Sequence, residues 1–200
     1  AWLRMKGFYK PSHEYTQKWL DGLFKHKKLP KPKWKRDGKS TSIIVVADLH
    51  IGLLTEDMKL VSDYNVDKVK NMLGNVVEYA NSTGDDIVYV LLGDYIESFT
   101  GKNKSSTWKE IQMHGSEVAL QAFDILKTMF DSTERLKHVY MVAGNHDRIS
   151  DSREDDHEGQ VAALIKGIFD RVGHYPITYD HLILNPDIDK IKYVITHGDC

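Results

Sequence analysis

The sequence has almost no cysteine and no long hydrophobic run, and each absence excludes a class of protein. A single cysteine among 200 residues excludes a fold held together by internal disulfides. No apolar stretch approaches the roughly 18 residues of a membrane-spanning helix, and the first residues lack the apolar core of a signal peptide. We therefore expect one globular domain with no membrane partner, in a reducing, cytoplasmic compartment.

Positive charge is scarce except near the N-terminus. Residues 1–40 contain 12 Lys and Arg against 3 Asp and Glu, whereas the other 160 residues contain 15 against 26. Within this basic region, apolar residues recur at helical spacing over 12–25, and a Lys- and Pro-rich connector with Trp34 follows over 25–39. We divide the chain into a basic helix and linker over 1–40 and a domain over 41–200. The linker either only joins the helix to the domain or also contacts nucleic acid.

Beyond residue 40, short β-branched runs alternate with helical patterns. The runs predict strands at 42–47, 86–92, 138–143 and 192–196, and the spacing of apolar residues predicts helices over 65–80, 107–130 and 158–172. Strands separated by helices of this length indicate βαβ units and a largely parallel, buried sheet. In such α/β sheets, ligands bind beyond the carboxyl ends of the strands.

Each of the four predicted strands ends in residues that can bind a metal. The endings are "ADLH" at 47–50, "GDYIE" at 93–97, "GNHD" at 144–147 and "HGD" at 197–199. Any one of them alone is equally typical of a turn, a surface loop or a core histidine. Their recurrence at four strand ends predicts that the Asp, His and Asn side chains converge on one site.

The donor types narrow the kind of metal site. Mixed carboxylate, imidazole and amide donors without thiolates favour Mn, with Fe or Zn as alternatives, in an open hydrolytic site. One aspartate among them can bridge two ions about 3.5–4 Å apart. A histidine that does not bind metal can protonate a leaving oxygen when a carboxylate orients its other nitrogen.

In this order along residues 43–199, the motifs resemble the calcineurin-like metallophosphoesterase superfamily. The resemblance implies a sandwich of two mixed sheets flanked by helices (αββα) and a site with two divalent metal ions and a bridging hydroxide. It implies that Asp94 bridges the ions and that His146 acts on the leaving group. It implies as further metal ligands Asp48 and His50 for one ion, and Asn145 and His197 for the other.

Four further residues are candidates around this site. By the resemblance, Glu97 orients His146, with Asp147 as the alternative for that role. Tyr95, next to the bridging aspartate, either lines the substrate cleft, which we favour, or packs inside the domain. Arg148 either contacts a phosphate of the substrate or is an ordinary surface arginine.

The sequence departs from the family pattern at two points. No Gly-His-x-His motif follows His197, so we expect a truncated piece of a longer protein, incomplete at its C-terminus, or an incomplete site. Ser98 occupies the position of an arginine that grips phosphate in Ser/Thr protein phosphatases, which argues against that activity.

These features predict a metal-dependent phosphoesterase that hydrolyses a phosphodiester or phosphomonoester. The motifs "DLHIG" and "GNHDR" are most similar to those of repair nucleases and their phage or bacterial relatives. The basic 25–39 segment suits a polyanionic substrate, so a nuclease is one candidate among these phosphoesterases. The first alternative is a pyrophosphatase resembling the UDP-diacylglucosamine hydrolases, which share "ADLH" and "HGD" but replace the histidine of "GNHD". The second alternative is a non-catalytic binding module of the same fold.

Overall fold

The computed structural model describes residues 34–35, 37–38, 40–59, 62–101, 111–150, 159–173 and 175–198. The predicted helix over 12–25 and most of the 25–39 connector lie outside these ranges. None of the helices in the described part of the chain has the length and apolar character needed to cross a bilayer.

A four-stranded parallel sheet forms the centre of the domain. Its strands are β1 (Thr41–Val46), β2 (Asp86–Leu91), β3 (Leu136–Val142) and β4 (Ile177–Asp180), and they lie side by side in chain order. They are connected by α1 (Val66–Thr83), α2 (Gly115–Ser132) and α3 (Gln160–Val172). The predicted α/β class and the βαβ construction are therefore confirmed.

Helix α1 shows how the sequence sets the bounds of an element. The side chain of Asn65 accepts a hydrogen bond from the Lys68 amide at 2.9 Å and so caps the first turn. The helix ends at Gly84, whose φ of 73° lies in the left-handed region that glycine adopts most readily. The side chains that it buries repeat at helical spacing and are Val66, Val69, Leu73, Val77 and Ala80.

The main hydrophobic core lies between the sheet and the three helices. Phe169 is 1% exposed, and its ring lies 4.8 Å from that of Phe123 and 5.3 Å from that of Phe130. Trp34 closes one end of this core, because its indole nitrogen donates to the Phe130 carbonyl at 3.1 Å and its ring packs edge-on against Tyr175. Trp34 is thus attached to the domain and does not extend from it as part of a free arm.

Short strands lie against part of the opposite face of the sheet. These are β5 (Ile183–Leu184), β6 (Asp187–Ile188), β7 (Ile191–Lys192) and β8 (Ile195–Thr196), and they form the antiparallel pairs β5–β8 and β6–β7. Ile195 packs there with Val90 and Val142 in a small second cluster, while Val45 on β1 remains 57% exposed.

Two sequence predictions of secondary structure were wrong. Residues 111–114 are not helical although the predicted helix over 107–130 includes them, because Ile111 forms a bridge with Leu53 and the Gln112 amide donates to Gly52. Helix α2 begins at Gly115, and residues 107–110 lie outside the described ranges. The predicted strand at 192–196 does not join the parallel sheet; its residues divide between β7 and β8. The fourth parallel strand is β4, whose four residues were too short a run to be recognised in the sequence.

Candidate metal centre

The predicted site residues, except His197, follow three adjacent strands of the parallel sheet. Asp48 and His50 follow β1, Asp94 follows β2, and Asn145 and His146 follow β3. Because β1, β2 and β3 are parallel neighbours, their carboxyl ends lie at one edge of the sheet. The motifs, which are far apart in the sequence, therefore lie close together in space.

Three of these residues have a strained backbone. The φ angles of Asp48, His50 and Asp94 are 53°, 40° and 50°, in the left-handed region that non-glycine residues rarely adopt. Each such residue costs of order 1–3 kcal/mol and persists only where its surroundings enforce it. The amide of His50 donates to the Asp94 carbonyl at 2.9 Å, which is one contact that holds the two turns together.

Two glycines allow the turns after β2 and β3 to approach each other. A Cβ atom on Gly93 would lie 2.3 Å from the Gly144 nitrogen, and one on Gly144 would lie 2.2 Å from Oδ1 of Asp94. Neither position can accept a side chain without displacement of the backbone. The glycines that begin "GDYIE" and "GNHD" are thus required for the contact between the two motifs.

Asp94 lies between two histidines. Its Oδ2 atom is 3.8 Å from Nε2 of His50 and 3.6 Å from Nε2 of His197, and its Oδ1 atom accepts the amide of His146 at 2.7 Å. The side chain of Asp94 is 5% exposed. One carboxylate oxygen is therefore near both imidazole nitrogens, and the other holds the backbone of the β3 turn.

On the first side of Asp94, three donors converge. Ligand atoms of Asp48, His50 and Asp94 all lie within 4.8 Å of one another, and Oδ1 of Asp48 is 3.9 Å from Nε2 of His50. The side chain of Asp48 is 59% exposed, so the group is open to solvent. Two carboxylates and an imidazole suit an open site for a divalent transition metal.

On the second side, His197 and Asn145 meet. Oδ1 of Asn145 is 3.2 Å from Nε2 of His197, while Nδ1 of His197 contacts the Leu92 carbonyl. The contact with a backbone carbonyl assigns the ring proton to Nδ1 and leaves Nε2 directed at Asn145 and Asp94. Although β8 is outside the parallel sheet, it brings His197 to the strand ends as predicted.

His146 lies against the first group but is fixed by a different contact from the one predicted. Its Nδ1 is 2.7 Å from the backbone carbonyl of Glu97, whereas the Glu97 carboxylate is 3.6 Å away. Its ring packs edge-on against His50 with centroids 4.7 Å apart. This contact assigns the ring proton to Nδ1 and leaves Nε2 as the other ring nitrogen.

The carboxylate of Glu97 lies closer to His50 than to His146. Its Oε2 is 2.8 Å from Nδ1 of His50. Burial by itself would lower the pKa of His50, but the contact with Glu97 and the neighbouring carboxylates of Asp94 and Asp48 outweigh it and raise that pKa. Ligand atoms of His50, Glu97 and His146 also lie within 4.8 Å of one another, but the backbone carbonyl already occupies Nδ1 of His146.

The structure places Asp147 and Tyr95 inside the domain. Asp147 is completely buried and its carboxyl accepts backbone amides of Tyr95 at 2.8 Å and Gly144 at 2.9 Å. Burial raises the pKa of this carboxyl to about 8 although its backbone hydrogen bonds oppose the shift. Tyr95 is 1% exposed and its hydroxyl donates to the Val142 carbonyl at 2.7 Å. Both residues join the β2 and β3 turns, and Tyr95 does not line a cleft.

Arg148, like His50, has a buried side-chain nitrogen without a hydrogen-bond partner. Its Nε is inaccessible to solvent and makes no hydrogen bond. Buried donors are nearly always paired, so Arg148 differs in this respect from an ordinary surface arginine.

Several groups that shape the site could not be recognised from the sequence. The backbone carbonyls of Leu92 and Glu97 orient His197 and His146, and the hydroxyl of Tyr64 donates to the Leu49 carbonyl between Asp48 and His50 at 2.6 Å. Carbonyl contacts leave no residue-type signal, since every residue has the group. Tyr64 lies on no motif, so nothing distinguished it from a packing tyrosine.

Comparison with known protein families agrees with this geometry. Residues 41–199 match the family model described as calcineurin-like phosphoesterase. A search of curated proteins finds no match to the chain.

Proposed function

Because the chain belongs to the calcineurin-like phosphoesterase family, we propose that it hydrolyses phosphate esters at a two-metal site centred on Asp94. Divalent ions, with Mn favoured over Fe or Zn, would stabilise charge on the phosphoryl oxygens and would lower the pKa of a water molecule. Asp48 and His50 are the proposed ligands on one side of Asp94, and Asn145 and His197 are those on the other.

The position of the Asp94 carboxylate carries this proposal. Its Oδ2 lies 3.8 Å and 3.6 Å from imidazole nitrogens on two sides, which suits an oxygen shared between two ions. The side chain of Asp94 is only 5% exposed, and other carboxylates lie near it. Without cations, the repulsion between these negative charges costs free energy. Divalent ions would remove that repulsion.

His146 is the proposed proton donor to the leaving oxygen. Its Nδ1 is held by the Glu97 carbonyl at 2.7 Å, which leaves Nε2 to carry the transferred proton. Its backbone amide, bound to Asp94 at 2.7 Å, fixes the ring next to the proposed metal site. Arg148, with its unpartnered Nε, is the proposed contact to a substrate phosphate.

Among substrates, the excess of Lys and Arg over residues 1–40 favours a polyanion, and we propose a nucleic-acid phosphodiester. The described part of the 25–39 segment binds to the domain: Trp34 packs in the core, and Lys35 forms an ion pair with Glu134 at 2.8 Å. The proposal for nucleic acid therefore relies on net charge and not on Trp34 as a stacking platform.

Two alternative functions are less well supported by the contacts of His146. A UDP-sugar-lipid pyrophosphatase resembles this chain in two motifs, but His146 and its carbonyl contact favour a general phosphoesterase. A binding module without catalysis has no use for a histidine held with its second nitrogen available. Hydrolysis of neither diesters nor monoesters, together with normal metal binding, would favour that module.

The experiment compares wild type, His146→Ala and His181→Ala with Mn²⁺. His181 is the matched control because it pairs with Asp180 at 3.7 Å, outside the site. We expect two ions per chain in all three proteins by calorimetric titration. Turnover of bis-p-nitrophenyl phosphate and p-nitrophenyl phosphate should fall about 10²–10⁴-fold in His146→Ala alone. A parallel loss of metal in His146→Ala would contradict the proton-donor role.

A further inference from the structure

Glu97 contacts both histidines of the first group, each through a different part of the residue. Its carboxylate Oε2 lies 2.8 Å from Nδ1 of His50, and its backbone carbonyl lies 2.7 Å from Nδ1 of His146. The carboxylate is 3.6 Å from the second ring. Glu97 thus contacts the His50 ring through its carboxylate and the His146 ring through its backbone carbonyl.

The carboxylate of Glu97 lies next to the buried ring nitrogen of His50. The Nδ1 atom of His50 is buried and has no well-aligned hydrogen bond, although Oε2 of Glu97 is within hydrogen-bonding distance. Buried polar atoms are nearly always paired, and the Glu97 carboxylate is the charged group that lies at hydrogen-bonding distance from this nitrogen. A proton on Nδ1 leaves Nε2 free to face Asp48 and Asp94.

The carbonyl that holds His146 is fixed by its own backbone neighbours. The Glu97 amide donates to the Ile51 carbonyl at 3.0 Å, and Ile96 forms a parallel bridge with Ile51. Two residues earlier in the chain, the Tyr95 amide donates a hydrogen bond to the Asp147 carboxyl at 2.8 Å. The position of this carbonyl therefore does not depend on the side chain of Glu97.

From this division we propose that Glu97 is a positioning residue for the metal ligand His50 through its carboxylate, and for His146 only through its backbone. This inference rests on the function proposed above for both histidines. In metal sites, a carboxylate on the second ring nitrogen fixes the tautomer and orientation of a histidine ligand. Glu97 thereby sets which nitrogen of His50 is offered to the metal.

The length of the side chain is part of the proposal. An aspartate at position 97 would withdraw the carboxylate by about 1.5 Å, one carbon–carbon bond, and would leave Nδ1 of His50 out of reach. The carbonyl would stay in place. Glu97→Asp should therefore affect His50 although it conserves the charge.

The test is a comparison of histidine tautomers by long-range ¹H–¹⁵N NMR in protein without metal, at a pH where both rings are neutral. In wild type we expect the Nδ1–H form for His50 and His146. In Glu97→Ala and Glu97→Asp, His50 should shift towards the Nε2–H form that free imidazole side chains prefer, while His146 is unchanged. Glu97→Gln keeps a side chain of the same length with an acceptor oxygen, so His50 and His146 should both keep their Nδ1–H forms. If Glu97→Ala does not fold, the comparison of Glu97→Asp with Glu97→Gln still tests the proposal.

Calorimetric titration with Mn²⁺ gives a second readout. We expect the affinity of one ion to fall about 10–100-fold in Glu97→Ala and Glu97→Asp, with a smaller change in Glu97→Gln. A tautomer change at His146 with an unchanged His50 would overturn the proposal, because it would show that the carboxylate serves His146. If wild type binds no Mn²⁺, the proposed function fails, but the tautomers still decide the role of Glu97.

Discussion

The core under the helices and the cluster at the strand ends are built by opposite means. In the core, Phe130, Phe169 and Leu126 are at most 1% exposed, and they lie on helices with regular backbone and ordinary apolar spacing. At the strand ends, Asp48 and Asp94 have left-handed backbone and acidic side chains near one another. The first region follows local rules for stability, and the second violates them.

This contrast predicts that substitutions in the core change stability alone, whereas substitutions at the strand ends also change metal binding. Burial of apolar area stabilises the fold, while strained backbone and clustered carboxylates cost free energy that the rest of the domain must offset. Departures from local preference concentrate at the site, as expected where function sets the geometry. Substitutions in the two regions should therefore have distinct signatures.

The largest expected effect is in the core. Phe169→Ala removes a ring that packs 4.8 Å from Phe123 and 5.3 Å from Phe130, and should lower the free energy of unfolding by about 3–5 kcal/mol. Urea denaturation measures it. Tyr79→Ala, at a 65% exposed helical position, is the control and should change stability by at most about 0.5 kcal/mol. Equal Mn²⁺ affinity in both folded variants would support the separation; a loss in Phe169→Ala would break it.

A smaller effect with the opposite signature is expected at the site. Asp94→Asn removes one buried negative charge, so the unfolding temperature without metal should stay the same or rise. Wild type should gain about 2.7 kcal/mol when free Mn²⁺ is 100 times its dissociation constant, and the variant should gain much less. Thermal unfolding with and without Mn²⁺ measures both quantities. A full metal-induced gain in Asp94→Asn would contradict the proposed bridging position.

The smallest effects compare the same substitution in the two regions. Gly74→Ala, on α1 with no atom within 4 Å of the added Cβ, should stabilise the domain by about 0.5–1 kcal/mol. Gly144→Ala, whose Cβ would lie 2.2 Å from Asp94, should destabilise it by about 1–3 kcal/mol and weaken Mn²⁺ binding. Denaturant unfolding and metal titration are the measurements. If both substitutions stabilised the domain, the turns after β2 and β3 would have to move apart without cost, which would contradict the close contact described above.

The predictability of each element followed from its local signal. Strands β1, β2 and β3 are continuous apolar runs and were predicted, as were most of α1 and α3. Strand β4 has four residues and no such run. The start of α2 was misplaced because Ile111 pairs with Leu53, a contact between distant residues that no local pattern contains.

At the site, residue types were predicted better than contacts. The motifs on parallel strands brought Asp48, His50, Asp94, Asn145 and His146 together at one edge of the sheet. His197 reaches the same place from β8, outside that sheet. Tyr95 and Asp147, although inside the same motifs, point into the domain. Adjacent residues in a turn face different directions, and only backbone torsion angles determine which one faces the site.

The sequence by itself determined the α/β class, the family and the chemical character of the donors, because periodicity and residue type are local properties of a chain. The tertiary structure decided which atoms meet: Asp94 between His50 and His197, the carboxylate of Glu97 at His50, and its carbonyl at His146. These contacts depend on close packing of turns that are distant in sequence, and on left-handed backbone that residue type alone does not specify.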